Sequence, residues 1–307
     1  MTLCLAWKQG SQIHFASDSR LTDGDGSITT DDATKVFKIS VVIYGPIPSE
    51  RPEEKEPLIH QSTFGLCFAG SYLNGSILAG TIEEVLSNIQ ATPYSDISIE
   101  NLSNIAFAVY KQVSTQLMQI HCKKGLSRVV LGGYCPITSE FKIYLFSPKE
   151  LVQGELLDFE KQEIVLTDNA YFIGDSPAIE KAVKLSTNLG RNYTYFHILR
   201  EIIRDREINT VGGNIQCGLF TPTTFKTYGL VEYSTFEDEY GITQVKDSYK
   251  FRGLSLDLDD NELRSGNIHI HKAFFNPFEH ERNEYFEKSF ESIDKSVAKM
   301  FKRKNND

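Results

Sequence analysis

Residues 1–26 read MTLCLAWKQGSQIHFASDSRLTDGDG, and their pattern decides how the rest of the chain is understood. Residues 2–8 and 11–17 read as period-2 patterns of half-buried strands, with Lys8-Gln9-Gly10-Ser11 as the turn between them. The chain therefore opens on a β-hairpin. Thr2 follows the initiator methionine directly, and removal of Met1 before so small a residue is ordinary processing. The expected mature chain begins with Thr2, which then carries a hydroxyl and a free α-amine on one residue, a nucleophile and a base together.

Working outward, the Gly/Asp/Thr-rich turn LTDGDGSITTDDAT leads to a strand at KVFKIS, then to the excursion YGPIPSERPEEKEPLIHQ, whose prolines and glutamates mark an exposed loop. TFGLCFAG reads as a compact strand closed by glycine. From Ser71 the pattern turns helical, with Leu73, Ile77, Ile82 and Val85 on one broad face, and a second helix spans roughly Ile99 to Ile120 with Leu102, Ile105, Ala106, Val109, Val113 and Leu117. Strands follow at RVVLGGYC, EFKIYLFSP, ELLDFE, EIVLTD and NAYFIG, then helices at about Asp175 to Thr187 and Tyr193 to Arg206, then strands at NIQCGLFTP and TFKTYGLVEYS. This order is the one expected of two sheets held between helix layers. Residues 1–234 form that domain. Residues 235–307 form a C-terminal extension ending in a helix in which Phe286, Phe290, Ile293, Val297 and Met300 make an apolar stripe, for its own domain or for a subunit contact.

Composition narrows the function. At 307 residues with a net charge of −9, and with basic residues dense only in the closing FKRKNND, the chain lacks the cation cluster a nucleic-acid surface needs. No apolar run approaches the ~20 residues that span a bilayer, and nothing resembles a signal peptide. Cys4, Cys67, Cys122, Cys135 and Cys217 are odd in number and scattered, which points to reduced core thiols and a cytoplasmic protein. No cofactor motif is present: the glycines at Gly132 and Gly212 lack the Lys-Ser/Thr of a phosphate loop. His269 and His271 share a strand face but have no further ligand nearby, so no metal site is expected.

The residues with chemistry are Thr2, Asp18, Arg20 and Lys35. The hairpin returns Asp18 to the level of the amino terminus, and an ammonium beside the Thr2 hydroxyl would lower its effective pKa while a carboxylate holds that lysine charged. With TKVFKI and FGLCFAGS, the opening stretch resembles the catalytic β-subunits of the proteasome, N-terminal nucleophile (Ntn) hydrolases that start with threonine; the TDGDG turn and the direct Met-Thr start are most similar to the bacterial proteasome-like peptidases. The resemblance covers Thr2 to about Ser234. It implies an α+β fold, the four-layer αββα sandwich of Ntn hydrolases, with Thr2 as nucleophile, Asp18 and Arg20 as the Asp-x-Arg pair, Lys35 as the lysine and Gly70 as oxyanion donor. It further implies a specificity pocket walled by Leu21, Ala33, Phe68 and Tyr72, with Phe68 making its floor shallow and apolar. It implies a peptide or protein substrate and a homo-oligomer, closing as a ring with inward-facing sites.

Two departures from the family pattern stand out. Lys35 lies one residue later than usual. The loop positions that carry a serine and an aspartate near the terminal amine read IGDSP and INTVGG here, so that Ile208, Asn209 and Val211 replace polar residues and Asp175 becomes the substitute carboxylate, unless it serves only to cap a helix. The leading expectation is a threonine-type endopeptidase. The alternatives are an Ntn amidohydrolase of small amides and a non-catalytic scaffold subunit, which would have no physical reason to keep Thr2, Asp18 and Lys35 together.

Overall fold

A computed structural model of the chain describes residues 2–23, 26–47, 56–92, 94–149, 158–167, 169–187, 193–221, 224–238, 243–252, 254–256 and 274–285. In chain order its elements are β1 (Leu3–Gln9), β2 (Gln12–Ser17), β3 (Leu21–Thr22), β4 (Ile28–Thr30), β5 (Val36–Tyr44), β6 (Leu58–Gly70), α1 (Tyr72–Leu86), β7 (Ile89–Gln90) and α2 (Ile99–His121). A short 3-10 turn at Cys122–Gly125 leads into β8 (Ser127–Cys135), β9 (Glu140–Lys149), β10 (Asp158–Ile164), β11 (Tyr171–Gly174), α3 (Ser176–Ser186) and α4 (Tyr195–Arg204). The described elements end with β12 (Gln216–Thr221), β13 (Thr224–Glu237), β14 (Thr243–Phe251), β15 (Leu254–Ser255), β16 (Phe274–Phe275) and a helical turn at 279–285. The architecture is mixed α/β. No helix among the described residues is long and apolar enough to cross a membrane.

Two large sheets organise these elements. One runs β11-β1-β2-β12-β13-β14-β15, with β16 pairing on β13; the other runs β10-β9-β8-β6-β5-β7. The hairpin that opens the chain pairs Cys4 with Ser17 and Gln9 with Gln12, leaving Gly10-Ser11 as a two-residue loop with Gly10 at φ 59. A glycine in the first loop position is what such tight hairpins require. Strand alternation then sorts the side chains of β1. Cys4 and Ala6 join Val36, Cys67, Ala69 and Val130 of the other sheet in one buried cluster, while Leu3, Leu5 and Trp7 face the opposite way onto Ala178, Phe196 and Leu199 of α3 and α4. A further cluster sets Ile39, Phe64, Phe68 and Val129 against Leu78, Ile82, Leu102 and Ala106 of α1 and α2.

The residues that face inward differ from the sequence expectation in α1. Leu78, Ala79, Ile82 and Leu86 are buried, whereas Leu73 and Ile77 are 50% and 40% exposed. The apolar arc of this helix is wider than one contact face, so periodicity alone leaves its rotation free by about one residue. In α2 the inward residues include Tyr110, 0% exposed, whose hydroxyl donates to the Ser127 carbonyl at 2.7 Å. The strand expected from Thr63 begins earlier, at Leu58, because β5 runs on to Tyr44 and offers a partner for the added length. ELLDFE and EIVLTD, expected as two strands, contribute one described strand, β10. The apolar stripe from Phe286 to Met300 lies outside the described residues. Beyond residue 234, β13 continues unbroken, β14 and β16 add to the same sheet, and Phe275, Phe278 and Tyr285 pack into its helix-side core.

One buried group in that core ties the fold to pH. His14 is 2% exposed and stacks on Trp7 at 4.9 Å and 11°, and burial pushes its pKa down to about 4 from 6.5. Above 6.5 it is neutral in both states; as pH falls from 6.5 toward 4, the unfolded chain takes up a proton that the native one refuses. Native stability should therefore fall by up to ~1.4 kcal/mol per pH unit in that window. Urea denaturation at pH 7 and pH 5 should show His14→Phe losing less stability on acidification than the parent chain.

Candidate active site

The amino-terminal end of β1 is fixed from two sides. Strand β11 pairs Gly174 with Leu3, and the amide of Asp175 donates to the Thr2 carbonyl at 2.9 Å. Gly174 has φ +140, and a Cβ there would stand 1.8 Å from the Thr2 carbonyl oxygen, so only glycine lets the two chains approach this closely. On the other side, the Leu3 amide donates to Asp18 Oδ1 at 3.0 Å. Thr2 is 3% exposed and lies on the wall of a cleft of about 780 Å³.

Asp18 is the hub of the site. Its Oδ1 accepts from the Leu3 amide, its Oδ2 from the amides of Arg20 and Gly212 at 3.1 Å each, and Lys35 Nζ lies 3.1 Å from both oxygens. Asp18 and Lys35 are 0% and 1% exposed. Charge-assisted donors surround the carboxylate, and a buried ion pair of this type holds only when its remaining hydrogen-bond capacity is satisfied. Lys35 Nζ also donates to the Arg20 carbonyl, and the lysine lines the cleft beside Thr2. The Gln216 side chain grips the start of β5, accepting from the Lys35 amide at 2.9 Å and donating to the Ala33 carbonyl. Thr2, Asp18 and Lys35 are therefore brought together, and the lysine's late position in sequence does not keep it away.

The other candidates are distributed around this centre. The Arg20 side chain does not reach Thr2: its Nε and Nη2 donate to the Asp31 carboxylate at 2.7 and 3.0 Å, and its Nη1 to the Asn209 carbonyl at 3.1 Å. Those hydrogen bonds hold the Asp31 carboxyl below its ordinary pKa. Arg20 braces the loop that carries Asp18, and its backbone rather than its guanidinium touches Lys35. Gly70 lines the cleft with φ +116, and a Cβ there would meet the Leu126 carbonyl oxygen at 2.7 Å. Leu21, Phe68 and Tyr72 line the cleft, but Ala33, 5% exposed, is not among its lining residues. The Phe68 ring is fixed by stacking with Phe37 at 6.0 Å and by Tyr72 at 6.0 Å.

Asp175 precedes α3 and is 6% exposed, yet its side chain makes no cap bond; it accepts instead from Thr210 Oγ1 at 2.9 Å. Thr210 is the hydroxyl that sequence reasoning missed. Attention fell on Ile208, Asn209 and Val211, and the threonine among them is the residue whose side chain meets the carboxylate of the neighbouring loop. Sequence reasoning also missed Asp23, Lys123, Lys124 and Leu126, which are among the residues that line the cleft. The two lysines lie about 120 residues from Thr2 in sequence and carry no motif. Behind Thr2, Cys4 Sγ lies 2.9 Å from the Phe68 carbonyl oxygen and 3.2 Å from Ser17 Oγ, and its hydrogen bond with Cys67, with burial, raises the Cys67 pKa. His269 and His271 lie outside the described residues.

Neither a family model nor a curated protein matches this chain. Among solved structures it is similar to the Anbu complex of Pseudomonas aeruginosa, described as a helical assembly, at 16% identity over 74% of this chain and 86% of that one, with a TM-score of 0.49. It is similar to Anbu, the ancestral beta-subunit, of Yersinia bercovieri at 15% identity over 74% of this chain and 86% of that one, with a TM-score of 0.47. Anbu from Hyphomicrobium sp. strain MC1 matches at 16% identity over 74% and 87% of the two chains, with a TM-score of 0.44. These findings correct the family reading made from the opening residues. The structures named here are ancestral beta-subunit proteins at 16% identity or less, and they give no direct evidence of an Ntn hydrolase.

The buried pair makes a stability prediction. Lys35→Met leaves the Asp18 carboxylate without its counter-charge and should cost about 3–5 kcal/mol, while adding Asp18→Asn should recover part of that loss. Urea denaturation of the two single variants and the double variant measures the coupling.

Proposed function

We propose that the chain is a threonine-type peptidase whose nucleophile is Thr2, released by cleavage of the Met1–Thr2 bond, carried on the four-layer αββα arrangement that the sheets and helices described above would make. The observation that carries this reading is the company Thr2 keeps: a cleft wall shared with Lys35, whose ammonium is oriented by the buried Asp18 carboxylate. In this reading the cation beside Thr2 stabilises negative charge as it develops on Oγ. The α-amine, with an ordinary pKa of about 7.7–8.0, takes the hydroxyl proton. Oγ attacks the peptide carbonyl, and the Gly70 amide is the donor available at the cleft for the oxyanion. The amine returns its proton to the departing amino group, then activates the water that hydrolyses the ester.

Asp175 is the orienting group for that amine. Its position one peptide bond beyond Gly174, beside Thr2, and its contact with Thr210 in place of a helix cap support the assignment. A cleft of about 780 Å³ running from Thr2 past Tyr72 to Lys124 and Leu126 offers room for several residues of an extended peptide, which favours peptides over small amides. The Phe68 and Tyr72 rings give the cleft an apolar wall. Assembly into a homo-oligomer is part of the proposal and is read out by the mass of the native protein in solution.

Intact-mass measurement and N-terminal sequencing of the active protein should find Thr2 at the amino terminus. Thr2→Ala should abolish hydrolysis of a peptide library while leaving the melting temperature nearly unchanged, and Thr2→Ser should keep measurable turnover. Persistent hydrolysis by Thr2→Ala removes Thr2 from the reaction. Asp175→Asn should lower kcat and move the acid limb of the pH profile to lower pH by about one unit, since an amine that loses a nearby negative charge becomes less basic.

A further inference from the structure

A second cluster of reactive side chains lies on the far side of the sheet that carries β1. Thr194 opens α4, His197 follows three residues later, and the turn at 279–285 brings His280 and Glu281 against it. One ligand atom from each of the three lies within 4.8 Å of the other two. His197 is 0% exposed, yet its Nε2 is buried without a hydrogen-bond partner, 3.3 Å from Glu281 Oε1. The rings of His197 and His280 stand 5.0 Å apart.

A zinc ion held by a histidine nitrogen and a carboxylate oxygen, each about 2.0–2.2 Å away at tetrahedral angles, separates those two atoms by about 3.3–3.5 Å. The His197 Nε2 and Glu281 Oε1 atoms are at that spacing. We infer that His197, His280 and Glu281 form a binding site for a divalent transition-metal ion of the zinc type, which fastens the C-terminal segment to α4. The fourth position is left to water. His280 is half-buried and turns inward to complete the set.

The surroundings of these three residues fit that role. The His197 Nδ1 lies 3.0 Å from Thr194 Oγ1 and 3.1 Å from the Thr194 amide. Metal on Nε2 requires the ring proton on Nδ1, from which it donates to Thr194 Oγ1, at the cost of the hydrogen bond from the Thr194 amide. Arg200 donates to both Glu281 oxygens and lies over the Phe278 ring at 3.9 Å, which fixes the carboxylate plane while leaving a second lone pair on Oε1. Its positive charge weakens binding of every cation. The two imidazoles therefore decide selectivity, and they favour zinc over calcium or magnesium.

The test uses the full chain, stripped with a chelator and titrated with Zn²⁺, with Co²⁺ as the spectroscopic probe. One equivalent of Zn²⁺ should bind, the melting temperature should rise with Zn²⁺ concentration, and Co²⁺ should give visible d–d bands with imidazole ligation. His280→Ala and Glu281→Gln should each weaken Zn²⁺ binding at least about tenfold, an effect of at least the size seen for outer-shell ligand partners. His280 is half-buried, so His280→Ala should fold, and its metal-free melting temperature checks this. A chain that takes up no stoichiometric Zn²⁺, or one whose binding is the same in His280→Ala, overturns the proposal and leaves an Arg200–Glu281 ion pair beside two histidines.

Discussion

Asp18 is the point at which four separate parts of the chain are held together. Its carboxylate accepts from the first residue of β1, from the loop after β2 and from the glycine loop before β12, and it meets the ammonium that precedes β5. Transfer of a single charge into this interior would cost several kcal/mol, and the cost is offset only because every oxygen finds donors. The arrangement is therefore all or nothing: the hairpin, the glycine loop and the edge of the second sheet must assemble together for any of the contacts to be worth making. The same condition that makes the centre costly also fixes Lys35 beside Thr2.

The brace formed by Arg20 and Asp31 belongs to the same logic one step further out. A guanidinium held by two parallel hydrogen bonds resists rotation, and its third contact, with the Asn209 carbonyl, pins the loop that also carries Thr210. Thr210 in turn holds Asp175, whose amide holds Thr2. The chain of contacts runs from a half-buried salt bridge to Thr2 through backbone and short side chains, with few torsions free to drift.

Much of this was legible in the sequence. The hairpin expected in residues 2–17 forms, although Leu3 to Trp7 are buried on both faces of β1 instead of one; the hairpin also explains how Asp18 could be placed beside Thr2 from sequence, whereas Lys35 was picked out by the family resemblance. The rotation of α1 was not legible, since Leu73 and Ile77 are as apolar as the residues that are buried and only the partner sheet distinguishes them. Thr210 was missed because its neighbours were compared with a motif instead of being asked what hydroxyl the loop could offer. Lys123 and Lys124 reach the cleft through the turn after α2, a long-range placement without local signature. Ala33, expected in the pocket wall, is drawn behind it by the Gln216 side chain, a partner from the other end of the chain.

The burial of Thr2 has a consequence for the order of events during synthesis. In the finished molecule the residue is almost inaccessible, and the partner that covers it, β11, is translated some 170 residues later. At about 5–20 residues per second, β1 waits roughly 10–35 seconds after its own synthesis before the strand that pairs with its outer edge exists. Through that interval the backbone groups that β11 later satisfies face solvent, so this edge of the sheet is among the last of its contacts to form.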